Sequence, residues 1–206
     1  MATRIEGEEA LRSLIGEPAG VVLSKVSDRL NDLTRQFVER SPFVCLATSA
    51  ADGSCDVSPR GDPPGFVRIL DERTLLLPDR PGNRLADSHR NVLENPHVAV
   101  IFIVPGVTDT LRVNGTASIV TDTELLESCA VEGRVPKLGM RIEIEEVFTH
   151  CSKAFLRAEL WDPTRYVSRD ELPSPGQLLC SVEPSVDPER YDAERAERYA
   201  RREGFY

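Results

Sequence analysis

Arginine and aspartate crowd one stretch of the chain. Residues 56–91, DVSPRGDPPGFVRILDERTLLLPDRPGNRLADSHRN, carry Arg60, Arg68, Arg73, Arg80, Arg84 and Arg90 against Asp56, Asp62, Asp71, Glu72, Asp79 and Asp87. The window is therefore neutral, and the formal charge of −9 lies outside it. A neutral, guanidinium-rich island can hold an anion, because exposed charges farther away than about 8 Å are screened at physiological salt. Arg80, Asn83 and Arg84 stand at or just before the start of a helix expected over 84–94. There, free backbone N–H groups and the helix dipole favour a phosphate. The dipole supplies only about 0.3–1 kcal/mol, so guanidinium forks must provide most of the grip. The competing reading is a solvated helix start whose arginines pair with neighbouring aspartates.

Other chemistries have less support. No Ser–His–Asp arrangement, paired-carboxylate spacing or metal-ligand cluster stands out. There is no G-x-G-x-x-G after a strand and no phosphate-binding G-x-x-x-x-G-K-[ST]. His150-Cys151 are adjacent, but the five cysteines (Cys45, Cys55, Cys129, Cys151 and Cys180) form no C-x-x-C. Neither a zinc site nor a disulfide framework is expected. Composition is that of a globular chain, 40% hydrophobic and 29% charged over 206 residues. So acidic a protein is poorly suited to nucleic acid or an anionic membrane. The longest apolar run, Val98 to Val104, is too short to span a bilayer. The acidic N-terminus lacks the apolar stretch of a signal peptide, and the expected location is cytoplasmic.

The elements that must position these residues follow from periodicity. A short helix is expected from Glu8 to Ile15, stopped by Gly16. A second, capped by Ser27, would bury Leu30, Leu33, Thr34, Phe37 and Val38 on one stripe and end at Ser41-Pro42. Strands then take over: 43–48 and 55–58 around an Asp-Gly turn, an interruption at 59–65, and a hairpin of 66–70 with 74–77. The helix over 84–94 would pack Leu85, Val92 and Leu93. Residues 98–104 read as a strand buried on both faces. Leu111, Val113, Ala117 and Ile119 alternate with Arg112, Asn114, Thr116 and Ser118. Thr121-x-x-Glu124 is a capping box for a helix reaching about residue 132. Strands are expected at 141–149 and 154–161. An irregular wrapping tail at 172–188 precedes a last helix opened by Asp187-Pro188, with Glu194–Arg198 and Glu197–Arg201 pairs. Six to eight short, hairpin-joined strands with flanking helices predict an antiparallel barrel. The organisation is a helical segment (1–40) packed on the barrel (41–165), then a wrapping segment and helix (166–206).

The strings SPFVCLATSAADGSCDVSPRGDPPGFVRILDERTLLLPDRPGN (41–83), LRVNG (111–115) and HCSKAFLRAELWDP (150–163) resemble the pyridoxamine 5′-phosphate oxidase-like flavoproteins. Similarity is greatest to a subgroup of small bacterial members, which LPSPGQLL (172–179) also fits. The resemblance covers roughly residues 8–165. It implies a split β-barrel and a homodimer with two FMN at the subunit interface. Val57, Ser58, Pro59 and Arg60 would run along the flavin ring, with Arg60 reaching the phosphate or ribityl chain. Arg80, Asn83, Arg84 and Ser88 would hold the phosphate. Here the resemblance departs from its pattern, because the subgroup often has two asparagines before the arginine and this chain has one. The second subunit would bring Thr110, where the oxidases proper have a flavin-contacting glutamine, and Arg112. Lys153 and Trp161 would lie near the ring edge.

Each residue also has a plainer reading. Trp161 is a packing residue on a strand, Lys153 a surface lysine, and Ser58 a strand-end hydrogen-bonding group. Cys45 and Cys55 are small apolar fillers, and His89 and His97 are structural. The function expected is an FMN-dependent oxidoreductase acting on a small molecule, with no catalytic residue assignable and no pyridoxine synthesis implied. The alternative is a non-catalytic module that binds flavin or haem for storage or sensing.

Overall fold

Alternation along residues 110–120 sets the frame of the molecule. In the computed structural model, which describes residues 4–206, Leu111, Val113 and Ala117 are buried while Arg112, Asn114 and Thr116 are half-exposed on the other face. Seven strands form one antiparallel sheet: β1 (Phe43–Ser49), β2 (Cys55–Gly61), β3 (Arg68–Ile69), β4 (Thr74–Pro78), β5 (His97–Ile103), β6 (Thr110–Val120) and β7 (Gly139–His150). Their spatial order is β2-β1-β5-β6-β7-β4-β3. The sheet curls around the apolar core without closing, because β2 and β3 do not pair. This is the split β-barrel, with helices at its flanks.

The helices are α1 (Glu8–Ile15), α2 (Gly20–Ser24), α3 (Asp32–Arg40), α4 (Asp87–Glu94), α5 (Thr123–Glu127), α6 (Lys153–Arg157), α7 (Pro175–Cys180) and α8 (Pro188–Ala200). The first three residues of the expected N-terminal segment lie outside the described residues. No helix among those described is long and apolar enough to cross a membrane.

Several expectations need correction. Ser27 caps no helix; it bridges to Val147 of β7, and Asn31 caps α3 by accepting from the Leu33 and Thr34 amides. Leu30 is buried ahead of the helix, and within α3 Val38 is buried while Leu33 is 75% exposed. Strand β2 runs through Pro59 to Gly61 rather than stopping at 58. An edge strand tolerates a proline because one side of it has no ladder to feed. Strand β5 is not buried on both faces: Val98, Val100 and Phe102 are buried while Ile101 is exposed. The strand buried throughout is β4. Leu75 and Leu77 join the main core, while Leu76 packs outward on Leu126 and Cys129.

Helix α5 is capped by Asp122, not Thr121, and lasts only five residues. Residues 153–157 are helical where a strand was expected, since Ala, Leu and Arg are among the stronger helix formers. The tail is not irregular throughout. Ser174 and Gln177 form a capping box for α7, and Gly176 meets Pro188 and Asp192 of α8 so closely that no side chain would fit. Asp187 caps α8 as expected. Glu197 pairs with Arg201, but Glu194 pairs with Arg190.

Candidate functional site

The open seam of the barrel becomes a cleft. Strand β2 forms one wall with residues 56–60. Residues 79–89, which leave β4 and enter α4, form the floor and a second wall. The third wall is the loop 134–138 before β7. Pairing of Pro78 with Gly139 and the Asp79 amide donating to Leu138 O at 3.1 Å hold that loop beside residues 79–80. Gly204 and Tyr206 complete the rim. The volume is about 950 Å³, within the range of small-molecule and cofactor sites.

Two ion pairs of opposite polarity lace the seam where no backbone ladder joins β2 to the strand across it. Arg60 Nη1 donates to Asp79 Oδ1 at 2.8 Å, and Arg80 Nε donates to Asp62 Oδ2 at 2.5 Å. Asp62 is nearly fully buried and also accepts from the Tyr206 hydroxyl at 2.7 Å. That bond raises the Tyr206 pKa above its ordinary value, with burial adding to it. Arg80 further donates to Cys129 O at 2.8 Å, and its guanidinium lies 5.3 Å from the Tyr206 ring centroid. Arg134 donates to the Tyr206 carbonyl at 2.8 Å.

His89, from α4, approaches the same Asp79 oxygen at 3.4 Å, but its Nε2 is buried and makes no hydrogen bond. Arg60 Nε is likewise buried without a partner. Burial holds the His89 pKa below the ordinary histidine value against the opposing pull of Asp79, and Arg60 lowers it further.

Eight of the residues singled out in the sequence line this cleft: Val57, Ser58, Pro59, Arg60, Arg80, Asn83, Arg84 and Ser88. The local setting is not the expected helix start. Helix α4 begins only at Asp87; Arg84 has φ +64° and Ala86 φ +58°. These left-handed residues turn the chain before the helix. Asn83 Oδ1 accepts from the Leu85 amide, and buried Ser88 donates to Asp56 at 3.0 Å. The expected apolar face shrinks to Val92, since Leu85 and Leu93 are exposed. Arg84 enters no ion pair or hydrogen bond among the described residues.

Thr110, Arg112, Lys153 and Trp161 do not line the cleft of this chain. Thr110 is buried opposite His150 on the β6–β7 ladder. Arg112 lies over the Phe148 ring at 4.4 Å with its Nε buried and unpartnered. Lys153 opens α6. Trp161 stands in a turn, not on a strand; its Nε1 donates to Val107 O at 2.8 Å and its ring tilts against Phe155 at 5.8 Å. Cys45 is half-buried on β1, whereas Cys55 is exposed and fills nothing. Among the described residues no group of three or more potential ligands could hold a metal.

Sequence reasoning missed Asp79 and Tyr206 as seam residues and Arg134 and Lys137 as cleft cations. Lys137, like Arg84, makes no ion pair among the described residues. The only signal for it was RVPKLG directly before a strand, and using that signal requires knowing that β7 pairs with β4. With Arg60, Arg80, Arg84, Arg134 and Lys137 against Asp56, Asp79 and Asp87, the cleft is net positive in an acidic chain.

A search of curated proteins finds no match. Among solved structures the chain is similar to HupZ of Group A Streptococcus, with 21% identity over 58% of this chain and 93% of that one and a TM-score of 0.47. It is similar to general stress protein 26 of Bacillus anthracis, with 16% identity over 56% and 88% and a TM-score of 0.43. It is also similar to HutZ, the heme storage protein of Vibrio cholerae, with 18% identity over 59% and 94% and a TM-score of 0.41. A family model described as pyridoxamine 5′-phosphate oxidase matches residues 30–151, which run from the start of α3 through the end of β7 and hold all but the rim of the cleft. This chain belongs to the pyridoxamine 5′-phosphate oxidase family.

Proposed function

We propose that the seam cleft binds FMN and that the protein is an FMN-dependent oxidoreductase acting on a small molecule. The observation that carries this reading is the uncommitted positive charge in the cleft. Arg60 and Arg80 are spoken for by Asp79 and Asp62, but Arg84 and Lys137 line the same space with no carboxylate partner among the described residues. A phosphate monoester suits that donor set, since an arginine presents a planar fork and a lysine a mobile point charge. The residues present therefore fit the group. Arg84 and Lys137 would hold the phosphate, with Asn83 beside them. Edge strand β2 would offer the outward backbone groups of residues 57–60 to a polar ring edge, as among the described residues β2 pairs only with β1. Arg60, shared with Asp79, would add a guanidinium on the cleft floor.

Bound FMN supplies a hydride acceptor; the chain's own part is to anchor an anion, present polar contacts and leave one side open. In this reading the protein is a homodimer. Thr110 and Arg112, which do not line the cleft of their own chain, would come from the second copy, with Lys153 and Trp161 near the ring edge. The expected setting is cytoplasmic.

A titration of the purified protein tests this. FMN should bind and give flavin bands near about 375 and about 450 nm. Arg84→Ala should weaken binding by about 1.5–3 kcal/mol, the range for a charge-assisted hydrogen bond. Anaerobic NADH or NADPH should bleach the bands. An FMN-loaded protein that no reductant bleaches would be a flavin carrier rather than an enzyme, and a protein that takes up no FMN ends the proposal.

A further inference from the structure

The floor of the cleft holds an arrangement that neither anchoring nor packing requires. Arg60 of β2 and His89 of α4 converge on one oxygen of Asp79, Arg60 at 2.8 Å with a hydrogen bond and His89 at 3.4 Å without one. Both leave a buried nitrogen unsatisfied, Arg60 Nε and His89 Nε2. A buried polar atom without a partner is costly, and a hydrogen bond from His89 Nε2–H to Asp79 would relieve one of the two. The remaining surroundings are apolar: Leu77, Pro78 and Met140. On α4 itself Ser88 is bound to Asp56, and Asp87 and Arg90 face each other at 3.8 Å. Asp79 and Arg60 are thus the charged groups that His89 faces.

We propose that His89 is a positioning residue that couples anion binding in the cleft to uptake of a proton. With His89 neutral, Arg60 and Asp79 form a neutral pair and Asp79 holds the guanidinium. With His89 protonated, Nε2–H donates to Asp79, the trio carries one positive charge, and Arg60 is shared less tightly with its carboxylate. An anion on the cleft floor stabilises the second state. Linkage makes the effect reciprocal: the anion raises the affinity of His89 for a proton, and protonation of His89 raises affinity for the anion by the same factor. Burial, which favours the neutral ring, poises the free protein in the first state. The sign follows: anion affinity is higher below the His89 pKa and falls as pH rises through it. A rise of one unit in that pKa on binding corresponds to about a tenfold gain in affinity.

The inference rests on the FMN reading for its ligand but not for its mechanism, and the test separates the two. Proton uptake on FMN binding is measured by calorimetry at pH 6.5 in two buffers of different ionisation enthalpy, for the full chain and for His89→Gln. The phosphate of FMN titrates in the same range, so the difference between the two proteins is the quantity read. Wild type should take up more protons than His89→Gln, and its affinity should gain about tenfold over the variant between pH 8 and pH 5.5. Asp79→Asn should erase the same difference. Equal proton uptake and parallel pH profiles overturn the proposal. Should the wild type refuse FMN, the cofactor reading falls, and inorganic phosphate becomes the titrant, followed by the NMR shift of the His89 ring in the unsubstituted protein. A phosphate-dependent rise in the His89 titration midpoint sustains the coupling; an unmoved midpoint ends it.

Discussion

Asp62 is the place to break the seam. Its carboxylate is nearly fully buried, accepts Arg80 Nε at 2.5 Å and the Tyr206 hydroxyl at 2.7 Å, and so joins β2, the segment after β4 and the C-terminal residues. Asp62→Ala removes both acceptors at once. Arg80 keeps Cys129 O at 2.8 Å but loses its counter-charge. Breaking a buried ion pair from one side costs about 3–5 kcal/mol. Arg80 is 17% exposed beside an open cleft, which brings its share to about 2 kcal/mol, and the Tyr206 hydroxyl adds about 1 kcal/mol. The total, about 3 kcal/mol, is a large part of a typical domain's stability of about 5–15 kcal/mol. For a chain of this size it lowers Tm by about 6–12 °C. Asp62→Asn keeps an acceptor of the same shape and should recover roughly half of that. Urea denaturation of both variants, with Tyr206→Phe as the second arm of a double-mutant cycle, gives the numbers; the Asp62–Tyr206 coupling should be about 1 kcal/mol. An Asp62→Ala protein within about 0.5 kcal/mol of wild type, the range of an ordinary surface substitution, refutes the reasoning, because it would mean the seam is not held by this cluster.

Two further outcomes are expected. Gly115 sits where β6 and β7 slip register, and a Cβ there would lie 1.9 Å from Glu143 O. Gly115→Ala must push two backbones apart and should cost about 3 kcal/mol or more, the upper end for overpacking, read as a fall in the urea midpoint. Asp28 is exposed, but its hydrogen bonds with Arg29, then with Arg73, depress its pKa to about 2 from 3.8. A depressed carboxylate adds stability that is complete above the unfolded value and is lost as pH falls from about 4 toward about 2. Asp28→Asn should therefore narrow the gap to wild type in acid unfolding over that window, while a gap unchanged from pH 6 to pH 2 counts against it.

The barrel could be read from the chain because its strands obey a period of two. Leu111, Val113 and Ala117 are buried as alternation requires, and hairpin signals such as Asp52-Gly53 placed β1 beside β2. What alternation cannot report is which strand lies beside which non-neighbour. That choice buries β4 on both faces rather than β5, through Leu76 against Leu126 and Cys129. Short elements failed for a different reason: five residues, as in α6, hold too few side chains to separate a period of 3.6 from one of 2. The site divided along the same line. Val57 to Ser88 form one stretch of sequence and could be found together. Lys137 and Tyr206 reach the cleft only through β7–β4 pairing and through the Asp62 network, neither of which leaves a local mark. The left-handed turn at Arg84 and Ala86 was hidden because neither is glycine.

The seam also explains why the arginines do not share one role. A closed barrel would pair its last two edges by a ladder of backbone hydrogen bonds; this one leaves β2 and β3 apart. Side chains span the gap instead, and a charged group placed there needs an opposite charge beside it. Arg60 with Asp79 and Arg80 with Asp62 meet that requirement, with the positive partner on opposite sides of the gap. Their guanidinium charge is engaged across the opening. Cations that can bind a ligand without drawing on the seam lie outside the pairs, and Arg84 and Lys137 line the cleft there. On this argument, removing a bridging arginine should cost stability first and binding second, whereas removing Arg84 should cost binding alone.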